Sequence, residues 1–271
     1  MPALANLAAA KPLKILYLGD PGSGKTGSLD ALAPKYKLRI IDFDNLLESL
    51  FQFVRRNHPE SIGNVEYMTF TDNLSIPQTP IMNFGGSANT VPFYKGTPIA
   101  FINAIKATDK WEDGSVPAEW DTSYVLVVDS LSSMSQAAFR YAWSMDPMVK
   151  DKRQVYRNAQ QLVLNAVQLL GSERFKCNVI MIAHIDYSTN EMNLTKGFAR
   201  TVGSALRDQI ADKFNCVLMA TSTGTGNNMR REIRTVSTGI VDLKNPVSFA
   251  VKDPLPLETG LLEFFQAVRP N

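Results

Sequence analysis

The chain has 271 residues, of which 45% are hydrophobic and 20% charged. At roughly 150 residues per domain this length fits one large domain or two small ones. The composition excludes a collagen, a low-complexity disordered chain and a disulfide scaffold. The longest apolar runs, at residues 125–128 and 179–183, are far shorter than the ~20 residues that span a bilayer. With 28 basic and 26 acidic residues, the formal charge of +2 does not by itself indicate a nucleic-acid partner.

The cysteines and the start of the chain bear on its compartment. Cys177 and Cys216 lie in apolar stretches without metal-ligand spacing, which favours buried free thiols in a reducing compartment. The small apolar residues at the start follow no basic segment, so no secretory signal is predicted. We therefore expect a cytoplasmic protein of a bacterium or of something that replicates inside one.

Predicted strands and helices alternate along the chain. Strands are predicted at residues 14–19, 38–43, 65–70, 124–128, 179–183 and 216–220, and helices at 25–32, 46–56, 98–110, 132–143, 154–170, 203–212 and 261–268. Each strand is a continuous apolar run, which is typical of a parallel sheet covered on both faces. The expected fold is therefore α/β, with a mainly parallel central sheet and helices on both faces, in a single domain over residues 1–271.

Four stretches depart from this alternation. Residues 71–97 contain Pro, Gly, Asn and Thr without a period, which predicts an inserted loop or lid. Residues 186–200 are predicted to form a polar loop. Residues 230–251 alternate as in a late β-hairpin, and residues 252–271 are expected to form a C-terminal tail with a helix.

A glycine-rich motif follows the first predicted strand and matches G-x-x-x-x-G-K-[ST]. Its glycines let backbone N–H groups turn inward around an anion, and the following helix adds partial positive charge. In this motif the lysine reaches the β- and γ-phosphates and the threonine binds Mg²⁺; a chance match in a glycine-rich turn is the alternative. The predicted nucleotide-binding residues are Gly19, Asp20, Pro21, Gly22, Ser23, Gly24, Lys25, Thr26 and Gly27.

A second acidic feature ends the most strand-like segment of the chain, Val125-Leu126-Val127-Val128-Asp129. An aspartate at the carboxyl end of a buried strand lies beside the phosphate loop, where it can hold the water shell of a metal ion. Thr26 and Asp129 are therefore the predicted metal-binding residues. The alternative is that Asp129 or Ser130 caps the following helix.

Further segments resemble RecA-like ATPases. Residues 40–44, Ile-Ile-Asp-Phe-Asp, resemble the I-D-x-E segment of that family, whose second acid activates the attacking water. The resemblance implies Asp44 as catalytic base, with aspartate in place of glutamate; the alternative is that Asp42 and Asp44 cap the next helix. His184 ends the strand at 179–183, where the family has a polar sensor of the γ-phosphate. The alternative for His184 is a side chain satisfied by a backbone carbonyl.

The resemblance runs from about residue 13 to residue 251, and the chain is similar in size to short phage-encoded RecA-like ATPases of single-strand annealing and recombination. It implies ATP and Mg²⁺ as cofactors and a homo-oligomer, as a ring or short filament. Gly203-Ser204-Ala205-Leu206-Arg207 resembles the G-x-A-L-[KR] segment after the family's DNA-binding loop. Lys244 or Arg207 would then supply a cation to a neighbouring subunit's nucleotide. For Lys244, a solvated surface lysine is the alternative.

The same resemblance implies single-stranded DNA as a partner, and with it a single-strand-binding protein. Cations can follow phosphates and aromatic rings can stack on unpaired bases, although basic clusters are also common on solvated loops. The implied DNA-binding residues are Lys150, Lys152, Arg153, Lys196 and Arg200. Two alternatives stay open: a nucleotide switch that acts on a protein partner without DNA, and a small-molecule kinase. The kinase ranks last, because the segment 71–97 has Lys95 as its single basic residue where such enzymes carry an arginine-rich lid.

Overall fold

The computed structural model describes residues 11–73, 96–146 and 151–269. The strands are β1 (Lys14–Gly19), β2 (Lys37–Asp42), β3 (Val65–Thr69), β4 (Tyr124–Asp129), β5 (Asn178–Ala183), β6 (Ile185–Thr189), β7 (Thr195–Ala199), β8 (Cys216–Thr223), β9 (Arg230–Arg234) and β10 (Leu255–Pro256). The α-helices are α1 (Glu48–Asn57), α2 (Ala100–Asp109), α3 (Leu131–Met145), α4 (Lys152–Gly171), α5 (Ser204–Ile210) and α6 (Gly260–Val268). The predicted insert falls largely on residues 74–95, outside the described part of the chain.

Eight strands form the main sheet in the order β10-β9-β8-β1-β5-β4-β2-β3. The six strands from β8 to β3 are all parallel to their neighbours, whereas β9 and β10 pair antiparallel at one edge. This arrangement confirms the predicted α/β fold with a mainly parallel sheet. Because the strands run in one direction, the residues that follow β1, β2, β4 and β5 meet along one edge of the sheet.

Helices cover both faces, as predicted, because successive side chains of each strand point to opposite faces. On one face, Leu16 of β1 packs in a cluster with apolar residues of α2, α3 and α4. On the other face, Tyr17 packs with residues of α1, α6 and the 3₁₀ helix Gly27–Leu32. Phe264 and Phe265 of α6 are fully buried, so the C-terminal helix is part of the core rather than an appended tail.

The structure corrects the prediction of a polar loop at residues 186–200. This segment contains β6 and β7, which pair antiparallel as a separate two-stranded sheet, with Ile185 opposite Ala199 and Thr189 opposite Thr195. Most side chains of β6 are exposed, so the segment lacks the apolar alternation that marks a strand with one buried face. The sequence pattern therefore did not predict this hairpin, which follows β5 directly.

The late hairpin is also displaced from its predicted place. β9 pairs with β8 and β10, and residues 235–251 have no strand of their own beyond two isolated bridges. Just after β9, the backbone N–H groups of Thr235 and Val236 donate to the Asp253 carboxylate, at 2.6 and 3.2 Å. These bonds replace ladder partners, which ends the strand at Arg234. The predicted helix after the glycine-rich motif is a short 3₁₀ helix, the form typical of such short pieces.

Both cysteines are buried free thiols, as predicted. Burial raises the pKa of Cys177 to about 11 and that of Cys216 to about 12. Within the described ranges, no helix has both the length and the apolar character required to cross a bilayer.

Candidate functional site

The glycine-rich loop lies at the carboxyl edge of the sheet, between the end of β1 and the 3₁₀ helix that begins at Gly27. Gly22 and Gly24 have φ values of 77° and 93°, in the left-handed region that side chains disfavour. A Cβ atom on Gly24 would lie 2.5 Å from Leu257, and one on Gly19 would lie 2.7 Å from the Ala220 carbonyl oxygen. The loop conformation therefore depends on glycine at these positions, as expected of a loop whose backbone surrounds an anion.

Lys25 is buried within this loop. Its Nζ donates to the carbonyl oxygens of Gly19 and Asp20, at 2.8 and 2.9 Å. Burial lowers the pKa of Lys25 to about 8, although the carboxylates of Asp129, Asp20 and Asp44 act in the opposite direction. An anion bound in the loop would stabilise the ammonium further, because an opposite charge favours the charged form.

Thr26 and Asp129 are brought together by the fold, although they are 103 positions apart in the chain and β5 separates their strands. The Thr26 hydroxyl donates to Asp129 Oδ2 at 2.7 Å. Burial is the main cause that raises the pKa of Asp129 to about 7, and the neighbouring carboxylates of Asp44 and Asp42 add to it. Ser130, rather than Asp129, caps α3 through its side chain, which accepts from the Ser133 N–H.

The donor set of Thr26 and Asp129 fits Mg²⁺. A hydroxyl and a carboxylate are hard oxygen ligands, and Mg²⁺ is commonly held by one or two carboxylates together with water and substrate phosphates. Among the described residues there is no group of three or more His, Cys, Asp or Glu side chains that could enclose a metal ion alone. Thr26 and Asp129 would therefore supply part of a Mg²⁺ coordination shell, with water and phosphate oxygens as the other ligands.

Asp44, the predicted base, and Asp42, which with Asp44 could instead have capped the next helix, have different environments. Asp42 Oδ1 accepts from the backbone N–H groups of Asp44 and Asn45, and its Oδ2 accepts from the Thr69 hydroxyl. The Asp44 carboxylate has no hydrogen bond or ion pair within the described residues, and it contributes to the pKa values of Lys25, Asp129 and His184. Helix α1 begins later, with Leu47 at its N-cap and no side-chain cap. Asp42 therefore shapes the turn, and Asp44 is the free acid of the site.

His184 follows β5, between the strands that carry the phosphate loop and Asp129. Its backbone N–H donates to the Ser132 hydroxyl at 3.0 Å. Its Nδ1 is buried without a partner in the described structure, a condition that costs free energy unless a ligand or water completes it. Burial and Lys25 lower the pKa of His184, whereas Asp44 and a hydrogen bond with the Gly19 backbone raise it; the net effect is a lowered pKa, so the imidazole is neutral near neutral pH.

The hairpin β6–β7 begins one residue after His184 and contacts the phosphate loop. The Tyr187 hydroxyl donates to Asp20 Oδ2 at 3.2 Å. Burial and the Asp20 carboxylate together raise the pKa of Tyr187, so the phenol remains a donor near neutral pH. One hydrogen bond therefore connects the loop that would hold phosphates to the hairpin.

The structure adds a residue that the sequence did not assign to the site. Arg231 of β9 donates from Nε to the carbonyl oxygen of Gly22 at 3.2 Å. It also lines a cavity of about 340 Å³ that starts where the phosphate loop ends; the lining includes Gly27, Phe53, Arg56, Leu257 and Glu258. The only sequence signal was the group of Arg230, Arg231 and Arg234, and the register of β9 with β8 decides which arginine meets the loop.

The residues predicted to contact DNA lie in two segments. Lys150 is outside the described residues. The Lys152 ammonium lies 5.7 Å from the centre of the Trp143 ring, and Arg153 pairs with Asp151 at 2.9 Å. On β7, Lys196 pairs with Asp242 at 3.2 Å. Arg200 donates through its backbone N–H to the carbonyl oxygen of His184 and through Nη2 to that of Ile185, so it lies at the base of the hairpin.

The two candidates for a cation in trans are engaged within their own chain. Arg207 lies 4.5 Å from the centre of the Phe198 ring and 3.6 Å from the Asp208 carboxylate. Lys244 Nζ donates to the Ala211 carbonyl oxygen at 2.9 Å and lies 3.4 Å from Asp212. A trans role for either residue stays a prediction, and it would require these contacts to change.

Comparisons with known proteins agree with a nucleotide-binding class. The profile of a family described as an AAA domain matches residues 11–253, so the chain belongs to that family. No curated protein matches the sequence. Solved structures that resemble the chain include a KaiC-like protein from Pyrococcus horikoshii OT3, at 11% identity and a TM-score of 0.40, covering 83% of this chain and 79% of that one. Flagellar accessory protein FlaH from Methanocaldococcus jannaschii matches at 9% identity and a TM-score of 0.37, with 83% and 78% covered.

Proposed function

We propose that this chain is a RecA-like ATPase that binds ATP with Mg²⁺, hydrolyses it, and acts on single-stranded DNA as an oligomer in phage recombination or annealing. The observation that carries the ATPase part is the 2.7 Å hydrogen bond between Thr26 and Asp129, next to the buried ammonium of Lys25. A chance glycine-rich turn would not place a threonine hydroxyl, a buried carboxylate and a buried lysine together at the carboxyl edge of a parallel sheet, where nucleotide sites form.

The arrangement assigns separate tasks to the side chains. The loop N–H groups and Lys25 bind the phosphates, and Thr26 and Asp129 hold Mg²⁺. When bound, Mg²⁺ supplies positive charge that offsets the charge developing on the phosphoryl oxygens. Asp44 has a free carboxylate that can orient the attacking water and accept its proton. His184 lies close enough to Lys25 and Asp44 for both to influence its pKa, and the hairpin begins at the next residue, as a phosphate sensor would require.

Support for a DNA surface comes from a contact between α4, whose first residues are basic, and the segment that follows β7. Gln160, near the middle of α4, donates to the Val202 carbonyl oxygen at 3.1 Å. The rings of Phe139, Trp143 and Tyr156 form a cluster there. The Trp143 centroid lies 5.9 Å from that of Phe139, and the Tyr156 centroid lies 4.7 Å from it. An aromatic ring beside Lys152 matches the stacking and charge that unpaired bases and phosphates require.

A second candidate function is a nucleotide switch that acts on a protein partner. Met192 and Leu194, at the turn of the β6–β7 hairpin, are 81% and 61% exposed. Exposed apolar side chains at the tip of a projecting hairpin favour a protein contact over a contact with a polyanion. The connection through His184 and Tyr187 would then transmit the nucleotide state to that partner.

Steady-state ATP hydrolysis with Mg²⁺, with and without single-stranded DNA and at two salt concentrations, tests the proposal. Salt-sensitive stimulation by DNA supports the recombination function, because binding through phosphates weakens as salt rises. Lys152→Ala/Arg153→Ala should lower DNA affinity and the salt slope, by about 0.7 per lost contact. Lys106→Ala/Lys110→Ala, which removes two exposed cations from the last turn of α2 and its C-cap, is the matched control. Hydrolysis indifferent to DNA favours the switch, and absence of nucleotide binding contradicts both functions.

A further inference from the structure

The Arg231 side chain lies against the phosphate loop, at Gly22 and Gly24. It lies opposite Ser222 in the β8–β9 ladder, two strands from β1. Its Nε donates to the Gly22 carbonyl oxygen at 3.2 Å, and its Cδ lies 3.2 Å from the position that a Cβ on Gly24 would take. The side chain therefore reaches the tip of the loop from its own subunit.

The end of this guanidinium is available for a ligand. Within the described residues, its Nη groups have no hydrogen bond or ion pair, since the single bond from the side chain is made by Nε. Arg234 on the same strand is committed instead to Asp253 and Glu232, at 3.3 and 3.9 Å. Arg231 thus adds an uncommitted planar cation to a loop whose backbone and Lys25 already favour an anion.

The adjoining cavity has the size and lining for the rest of a nucleotide. Its volume of about 340 Å³ is within the range of small-molecule pockets. Phe53 supplies apolar contact at Gly27 and Leu257 at Gly24, and Arg56, Asp30 and Glu258 also line the cavity. Because Asp30 and Glu258 outnumber Arg56 there, the interior suits an uncharged nucleoside better than a phosphate. Arg231 stands between this interior and the loop.

We propose that Arg231 binds the phosphate chain of a nucleotide held by its own subunit, on the side where the phosphate loop opens into this cavity, while the cavity receives the nucleoside. The inference rests on the proposed nucleotide site and deepens it by naming a further binding residue. A guanidinium presents a fork of N–H donors that matches two phosphate oxygens, and such charge-assisted bonds are stronger than neutral ones. The contact is with phosphates that ADP and ATP share, so Arg231 contributes to binding of both nucleotides.

Equilibrium titrations with a fluorescent ADP analogue and a non-hydrolysable ATP analogue test this role. Arg231→Ala should raise the Kd for both nucleotides about tenfold, and Arg231→Lys should raise it less, because a lysine retains charge without the fork. The turnover number at saturating ATP should change less than about threefold. Arg230→Ala is the matched control, since Arg230 precedes Arg231 on the same strand and does not line the cavity. An unchanged Kd for both nucleotides in Arg231→Ala overturns the proposal.

A mixing experiment separates action within a subunit from action on a neighbour. Arg231→Ala chains are mixed with Lys25→Ala chains, which keep Arg231 but lack the loop lysine. Recovery of the wild-type Kd for ATP in the mixture would show that Arg231 acts on the neighbouring site and would overturn the proposal. Absence of recovery supports action within the subunit. If the wild-type chain binds neither nucleotide, the proposed function fails; if it binds both and Arg231→Ala binds equally well, only this inference fails.

Discussion

Two buried lysines, one near each end of β1, show how the two edges of the sheet differ. Lys14 begins the strand at the amino edge, and Lys25 follows it at the carboxyl edge. Each ammonium donates to two backbone carbonyl oxygens, and burial lowers the pKa of each to about 8. Their electrostatic neighbours differ, since Cys177 and Arg269 influence Lys14, whereas three carboxylates influence Lys25.

This comparison shows that burial and a lowered pKa do not by themselves mark a functional lysine. Lys14 joins the starts of β1 and β5 by binding the carbonyl oxygens of Phe175 and Cys177. Lys25 lies in a loop of left-handed glycines beside Thr26 and Asp129. The carboxyl edge becomes a site because parallel strands deliver polar residues there and leave a helix start facing the same space.

The largest expected effect comes from Lys25→Ala, which should reduce ATP hydrolysis by at least about a hundredfold because the phosphates lose their buried cation. Lys14→Met, which removes the other buried ammonium, should leave turnover within about twofold of wild type. Steady-state hydrolysis of the two purified variants measures the difference. Activity that survives in Lys25→Ala would contradict the assignment of the phosphate site.

Asp42, the last residue of β2, and Asp44, two residues later, should respond differently to loss of the carboxylate charge. Asp44→Asn should lower turnover by about 10² or more, the usual contribution of a general base, with nucleotide affinity retained. Asp42→Asn should mainly lower the free energy of unfolding, by about 1–3 kcal/mol, because the Asp42 carboxylate accepts three hydrogen bonds. Turnover and denaturant unfolding of both variants give the test. Equal turnover of Asp44→Asn and wild type would place the base elsewhere.

Lys14, at the amino edge, should change how the free energy of unfolding depends on pH. Burial lowers the pKa of Lys14 to about 8 in the folded protein, from 10.5 in the unfolded chain. The unfolded state therefore binds more protons between about pH 8 and 10.5, so the Lys14 contribution to the free energy of unfolding rises with pH there. We expect this rise to be about 1–3 kcal/mol and to be absent from Lys14→Met. Denaturant unfolding of both proteins at pH 8 and 10.5 measures it; parallel pH profiles would show that the Lys14 pKa is not lowered.

The smallest expected effect concerns the connection from the phosphate loop to the hairpin. Tyr187→Phe removes the hydroxyl that donates to Asp20 but keeps the ring. Because the bond is worth about 1 kcal/mol, stimulation of hydrolysis by single-stranded DNA should fall by up to about fivefold, with ATP affinity within about twofold of wild type. Tyr67→Phe, at a tyrosine that is 60% exposed on β3, is the control. Equal stimulation in wild type and Tyr187→Phe would show that the bond does not carry the coupling.

Much of the carboxyl edge was predictable because its signals are local. The strands β1 to β5 lie within one or two residues of their predicted bounds, since each is a short apolar run that ends in turn or acidic residues. The phosphate loop and Asp129 were predicted from spacing, and their proximity follows from the common direction of parallel strands. Fully buried strands leave little ambiguity about which segments enter the sheet.

The parts that were not predicted depend on contacts between distant segments. The hairpin β6–β7 has mostly exposed side chains, so it lacks a strand pattern. β9 ends because the next backbone N–H group, that of Thr235, donates to the Asp253 carboxylate, 18 positions further along the chain. The hydrogen bonds that Asp42 accepts from the following turn and from Thr69, and the absence of a side-chain cap on α1, bear on whether these aspartates cap the helix, and they could not be read from the sequence. No periodicity in the sequence encodes these contacts.

The sequence by itself therefore determined an α/β chain with a phosphate-loop motif, a candidate metal-binding aspartate and a short set of candidate acids, because neighbouring residues decide backbone conformation and strand burial. The tertiary structure alone decided which aspartate is free, that Tyr187 reaches Asp20, and that Arg231 meets Gly22 from 209 positions away. The physical reason is register: a shift of one residue in the β8–β9 pairing would turn Arg231 to the other face of the sheet.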